Sequence, residues 1–145
     1  MADKKRISEL MKLEHGKMIT MLTKLKSTKD EDLFSYLKEL IDNHVYAEEK
    51  AIFVFYKSNK KFKVLSEIME QHEEIEDSLK DFENNLEVGL GDKSKIDSLL
   101  NLIKVHTTLE DKEFYPHLDK DLSVAEQEDM FKKVKVILGN IKQKD

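Results

Sequence analysis

The sequence predicts an all-α fold: an up-down-up-down four-helix bundle with an additional C-terminal helix. Three observations carry this expectation. Charged residues make up 38% of the chain and hydrophobic ones 39%, with four Gly and one Pro, a balance that suits long amphipathic helices rather than a turn-rich β fold. Apolar residues recur at steps of three or four almost throughout. The breaks between these stretches are short, so successive helices should be antiparallel neighbours. At 145 residues the chain has the size of one domain, with the bundle at about residues 4 to 118 and the last helix at about 123 to 143.

The first segment, about Lys4 to Lys26, has the stripe Ile7, Met11, His15, Met18, Leu22 and Leu25. The second, about Asp32 to Lys57, has Leu33, Leu37, Leu40, His44, Ala47 or Glu48, Ala51 and Phe55. The third, about Lys61 to Val88, has Leu65, Ile68, His72, Ile75 beside Glu76, Leu79, Phe82 and Leu86. The fourth, about Ser94 to His117, has Ile96, Leu99, Ile103, His106, Leu109 beside Glu110, and Phe114. Turn chemistry separates them at Ser27 to Asp30, at Ser58-Asn59, at Gly89 to Ser94, and in a gap after Pro116. A final helix starts at Ser123, where Ser-Val-Ala-Glu reads as a capping box with Glu126, and presents Met130 or Phe131, Val134, Ile137 and Ile141 to the outside of the bundle.

Composition narrows the function. The formal net charge is -5 with both signs interspersed, so no basic face is available to neutralise phosphates, and nucleic acid is not an expected partner. The densest basic run, Lys57 to Lys63, reads as a solvated turn between helices. With no Cys, disulfides, thiolate catalysis and cysteine-based metal sites drop out, and histidine and carboxylate chemistry remain. The N-terminus MADKKRISELMK lacks the apolar core of a signal peptide and no run is long enough to span a bilayer, so the expected location is cytoplasmic, without a membrane partner.

Of five histidines, His15, His44, His72 and His106 each fall on the apolar stripe of a different predicted helix, near its middle. Mid-helix positions of antiparallel neighbours share one level, so the rings are expected to converge. Three of the four are followed at the fourth place by a glutamate: Glu48 after His44, Glu76 after His72 and Glu110 after His106. That spacing lands within about 40° of the histidine and one turn along, so each pair points the same way. A single such pair is usually a surface contact; several at one level of one core are not. Without a cation each buried carboxylate would cost several kcal/mol or take up a proton. Two metal ions resolve that cost, since seven ligands exceed what one ion takes. Imidazole with carboxylate suits iron or manganese, and zinc less specifically. No histidine has a Glu three residues before it, which disfavours the ferritin-like arrangement.

The pairs Glu14-His15 and HVYAE (His44 to Glu48), then Gln71-His72 and HTTLE (His106 to Glu110), resemble the two halves of the haemerythrin-like family, the HHE cation-binding domain. The YPHL ending, Tyr115 to Leu118, is similar to that family's aromatic-proline ending. The resemblance implies a non-haem pair of iron ions with an oxo or hydroxo bridge. One iron would take His72, Glu76 and His106, the other His15 and His44, with Glu48 and Glu110 bridging and an open position beside His15 and His44. Oxygen carriers of the family have a His where this chain has Glu76, and an Asp five residues after the histidine matching His106. Asp111 occupies that fifth place here, but on a regular helix it points about 140° away, so Glu110 is the expected ligand and Asp111 is expected in solvent.

Replacing an imidazole by the Glu76 carboxylate favours ferric iron, so sensing, scavenging or peroxidase-like chemistry on O2 or peroxide is expected over reversible carriage. An iron-binding module without turnover is the alternative of a different class, and a plain bundle without metal a third. His117 reads as a surface histidine, Glu73 and Glu74 as solvated, and Tyr46, Phe53, Phe55, Phe82 and Phe114 as core.

Overall fold

A computed structural model describes residues 6–56 and 63–139, and all regular structure among them is helical. The helices are α1 (Ile7–Thr28), α2 (Glu31–Ala47), α3 (Lys63–Asn84), α4 (Leu86–Gly91), α5 (Lys93–Leu109), α6 (Tyr115–Asp121) and α7 (Val124–Gly139). The expected Ser58-Asn59 turn, most of the Lys57 to Lys63 run, the start of the first segment at Lys4 and the end of the last helix beyond Gly139 lie outside the described residues.

Local chemistry sets several helix ends. Lys29 takes the left-handed conformation (φ 53°) and its N–H bonds back to the Leu25 carbonyl, closing α1. One residue later the Asp30 carboxylate accepts from the N–H groups of Asp32 and Leu33 and opens α2. Asp92 does the same for α5 through Ser94 and Lys95. Ahead of α7 the expected capping box is formed: Glu126 N–H donates to Ser123 Oγ at 3.1 Å, and Ser123 N–H donates to Glu126 Oε1 at 2.8 Å.

Two predicted breaks are corrected. The chain leaves helical geometry at Asn85 rather than at Gly89, and Gly89 to Gly91 belong to α4. No gap follows Pro116, which lies in the first turn of α6, where a missing N–H costs nothing, and the helix runs on to Asp121.

A third difference matters more for the site. Directly after α2 and after α5 the backbone widens into a π-helical turn, Glu48–Ile52 and Glu110–Phe114, each opening at a glutamate. Phe53 N–H bonds to the Glu48 carbonyl and Tyr115 N–H to the Glu110 carbonyl, five residues back. The extra residue in the turn advances the buried stripe by one, so Ile52 and Tyr56 are buried where Phe55 was expected and Phe55 is only half-buried, while Phe53 is buried as expected. Tyr46, expected in the core, is exposed.

Apolar side chains gather in two clusters. One takes Met18, Leu22 and Leu25 from α1, Phe34 to Val45 from α2, Ile75 to Phe82 from α3, and Ile96 to Ile103 from α5. The other takes Ile7 and Met11 from α1, Ile52 and Phe53 beyond α2, Ile68 from α3, Phe114 and Tyr115 beyond α5, and Met130 and Val134 from α7. Between them, on all four long helices, lie the buried histidines. Among the described residues no helix is long and apolar enough to cross a membrane.

Gly89 is held to its size by packing. A Cβ there would lie 2.6 Å from Phe82 Cδ1, and the Phe82 ring is itself pinned against Phe34 at a centroid distance of 5.6 Å. Gly89→Ala should therefore destabilise the fold by about 1–3 kcal/mol despite the better helix former. Gly91→Ala, where a Cβ meets nothing within 4 Å, should be neutral or slightly stabilising. Urea unfolding of the two variants checks this; equal stability would contradict it.

Candidate metal centre

Six of the seven predicted ligands meet in the layer between the two apolar clusters. His15, His44, His72 and His106 are each at most 3% exposed, and Glu48 and Glu110 are fully buried. They form two overlapping groups, His15, His44, Glu48 and Glu110, and Glu48, His72, His106 and Glu110, in each of which one ligand atom per residue lies within 4.8 Å of the others. Glu48 and Glu110 belong to both.

Each shared carboxylate divides its oxygens between the groups. Glu48 Oε2 lies 3.2 Å from His44 Nε2, while its Oε1 lies 2.9 Å from His72 Nε2. Glu110 Oε1 lies 2.9 Å from His15 Nε2, while its Oε2 lies 3.2 Å from His106 Nε2 and 3.7 Å from His72 Nε2. His15 Nε2 and His44 Nε2 face each other at 3.2 Å. These approaches are close, yet neither Glu110 oxygen has a partner in hydrogen-bonding geometry. Inward-turned nitrogens and carboxylate oxygens within 4.8 Å of one another, with both Glu110 oxygens unpaired, are the donor types and spacing that a cation takes. Donor type, burial and the unpaired oxygens fit metal binding.

The outward nitrogens are held by a further ring of side chains. His15 Nδ1 pairs with Asp111 Oδ1 at 3.0 Å, His72 Nδ1 with Glu49 Oε2 at 2.8 Å, and His106 Nδ1 with Gln71 Oε1 at 2.8 Å. With Nε2 aimed inward, such partners fix the ring and the tautomer. The Tyr115 hydroxyl, buried beyond the second π-helical turn, donates to Glu48 Oε2 at 2.6 Å. Phe53 stacks on His72 at a centroid distance of 5.7 Å and keeps water from that face.

Asp111 is thus not solvated as expected, and the error has a cause. On a regular helix the fifth residue points away, whereas the π-helical turn starting at Glu110 lets two successive acids both serve the site. Glu48 and Glu49 do the same at the other π-helical turn. Glu49, Gln71 and Tyr115 were missed, although the acid following each glutamate, Glu49 and Asp111, was visible in the repeated sequence. Glu76 is in neither group: it is half-buried on the wall of a cleft of about 270 Å³ lined also by Glu49, His72, Glu73, Asp77 and Lys80. His117 is exposed and pairs with Asp121 at 3.3 Å, and Glu73 and Glu74 are exposed.

The electrostatics are those of charges crowded out of water. Burial alone would lower the His15 imidazole, but Asp111 and Glu110 outweigh it and push it up to about 10. His72 is likewise lowered by burial and raised further by Glu110, Glu48 and Glu49, to about 12. Burial and the neighbouring Glu110 raise Glu48, yet the imidazoles around it hold it below the usual carboxylate range. Glu110, raised by burial, is held well below that range, chiefly by His106. Burial, with Glu48 and Glu110 alongside, drives the Tyr115 hydroxyl well above its ordinary value, so it stays a proton donor.

In the metal-free protein the raised histidines hold protons that the unfolded chain releases near pH 6.5. The stabilisation they give is complete below that pH and is lost as the pH climbs through about 10 for His15 and about 12 for His72. Chelator-treated protein should therefore unfold at lower urea at pH 9 than at pH 6; a higher midpoint at pH 9 would contradict this.

Comparison with known families gives a match to the Hemerythrin HHE cation binding domain over residues 6–122. No curated protein and no solved structure matches the chain. The family match covers both halves of the duplicated site, from the helix that carries His15 to the turn beyond α6. By its sequence, and with a buried His and Glu cluster of metal-ligand type at its centre, the chain belongs to the hemerythrin HHE cation-binding family.

Proposed function

We propose that the chain is a non-haem di-iron protein that binds or reacts with O2, peroxide or a similar small oxidant. The observation that carries this reading is the sharing of Glu48 and Glu110 between two groups of ligands, with one oxygen of each carboxylate turned to either side. His15 and His44 would hold one iron, His72 and His106 the other. The way the clusters are filled supports the up-down-up-down bundle: α1 and α3 pass from one apolar cluster to the other, and α2 and α5 pass back.

When bound, two iron ions supply electrons and open coordination positions to a small oxidant. The chain does the rest. Asp111 and Glu49 increase the basicity of His15 and His72, which favours the more highly charged state of a bound metal. That preference, first expected from Glu76, is carried by these two acids, and it supports sensing, scavenging or peroxidase-like turnover over reversible carriage. Tyr115 holds Glu48 with one oxygen turned to His44 and the other to His72, and keeps a proton at its hydroxyl beside the site. Phe53, Phe114 and Tyr115 wall the site off on one side and restrict entry to small molecules.

Iron-loaded protein supplied with an external electron donor should consume peroxide, and His44→Ala or Glu48→Ala should lower the rate at least about tenfold. Equal rates in wild type and variants would rule out catalysis at this centre. Loss of stability on chelation without any turnover would point to a metal-responsive module instead. Glu76 needs a swing from the cleft wall to become a ligand, so Glu76→Gln is expected to retain both irons, and loss of one would restore it as a ligand.

A further inference from the structure

The ring of outer partners follows the duplication of the chain. His15 pairs with the residue after Glu110, and His72 with the residue after Glu48. His106 pairs with Gln71, the residue before His72. The duplicate of this last contact would join His44 to Glu14, the residue before His15. Both sides of it are buried and unpaired: His44 Nδ1 has no hydrogen-bond partner, and neither has Glu14 Oε1. Glu14 is only 5% exposed, and its other oxygen lies 3.4 Å from the surface ammonium of Lys17. A buried carboxylate oxygen without a donor has lost its water and gained nothing in exchange, so this orphan needs an explanation.

Resting on the metal-centre reading above, we infer that Glu14 is the positioning residue of His44, its Oε1 accepting a hydrogen bond from Nδ1–H when a cation takes Nε2. Coordination through Nε2 needs that nitrogen's lone pair, which leaves the ring proton on Nδ1 and obliges it to find an acceptor. The acceptor that the duplication supplies is a carboxylate on this side and the Gln71 amide on the other. Both imidazoles of the His15 and His44 half then back onto carboxylates, Asp111 and Glu14. The other half has one carboxylate, Glu49, and one neutral amide. The halves therefore differ in donor strength although their inner ligands are alike, and the His15 and His44 half binds its cation more tightly.

Zinc is a suitable probe, being diamagnetic and without redox chemistry. In the zinc-loaded, 15N-labelled full chain, His44 Nδ1–H should give a downfield, slowly exchanging proton resonance. Glu14→Gln should keep that resonance but move it upfield, because an amide oxygen is the weaker acceptor. Glu14→Leu should lose it to exchange and weaken the tighter zinc about 10–100-fold. Neither change should move the His106 resonance, which should respond to Gln71→Leu instead. If the leucine variant does not fold, the shift in Glu14→Gln decides. Two zinc ions bound with a His44 resonance indifferent to Glu14→Gln would overturn the inference alone. A chain that binds no zinc would overturn the metal-centre reading, and this inference with it.

Discussion

Two carboxylates, Glu48 and Glu110, are sealed in the middle of a small helical protein, and the rest of the structure answers to them. An uncompensated buried carboxylate costs several kcal/mol, more than most single contacts can offset. Four imidazoles surround the pair, an outer ring of two acids and an amide holds three of the imidazoles, and a phenol donates to Glu48. Such a core is tolerable with protons shared among its histidines and is better satisfied by cations. The two apolar clusters on either side exclude water, which makes every charge in this layer count for more.

The layer is built twice from one pattern. A histidine on a first helix is followed by a histidine and glutamate on a second, and that second helix opens into a π-helical turn at the glutamate. The wide turn lets one short segment present an inner carboxylate to its own half and an outer carboxylate to the facing half: Glu48 and Glu49 from one, Glu110 and Asp111 from the other. Each half is thereby completed by residues of its counterpart. The two are not equivalent, since Glu14 and Gln71 occupy matching places with different charge, and the cleft beside His72 carries Glu76, Asp77 and Lys80.

Much of this was legible in the sequence because it obeys regular periods. The helices and the six converging residues followed from steps of three or four on apolar stripes, and the capping box at Ser123 followed from local chemistry. What was misread departs from the regular helix. The inward reach of Asp111, the burial of Tyr56 ahead of Phe55, and the outer role of Glu49 all depend on an extra backbone residue per turn, which side-chain periodicity cannot signal. Glu76 shows the converse: its spacing from His72 was right for a ligand, but spacing fixes only the helical face, and this side chain lies on the wall of the cleft. The continuation of α6 beyond Pro116 was missed because proline breaks a helix interior yet is tolerated in a first turn.

If the buried glutamates exist to hold two cations in common, the number of ions bound is the most direct measure of the account. Anaerobic titration of the metal-free chain with iron(II), followed by equilibrium dialysis and metal analysis, should saturate at about two ions per chain. Saturation at one ion would contradict the shared-carboxylate centre, and no tight binding at all would contradict the account as a whole.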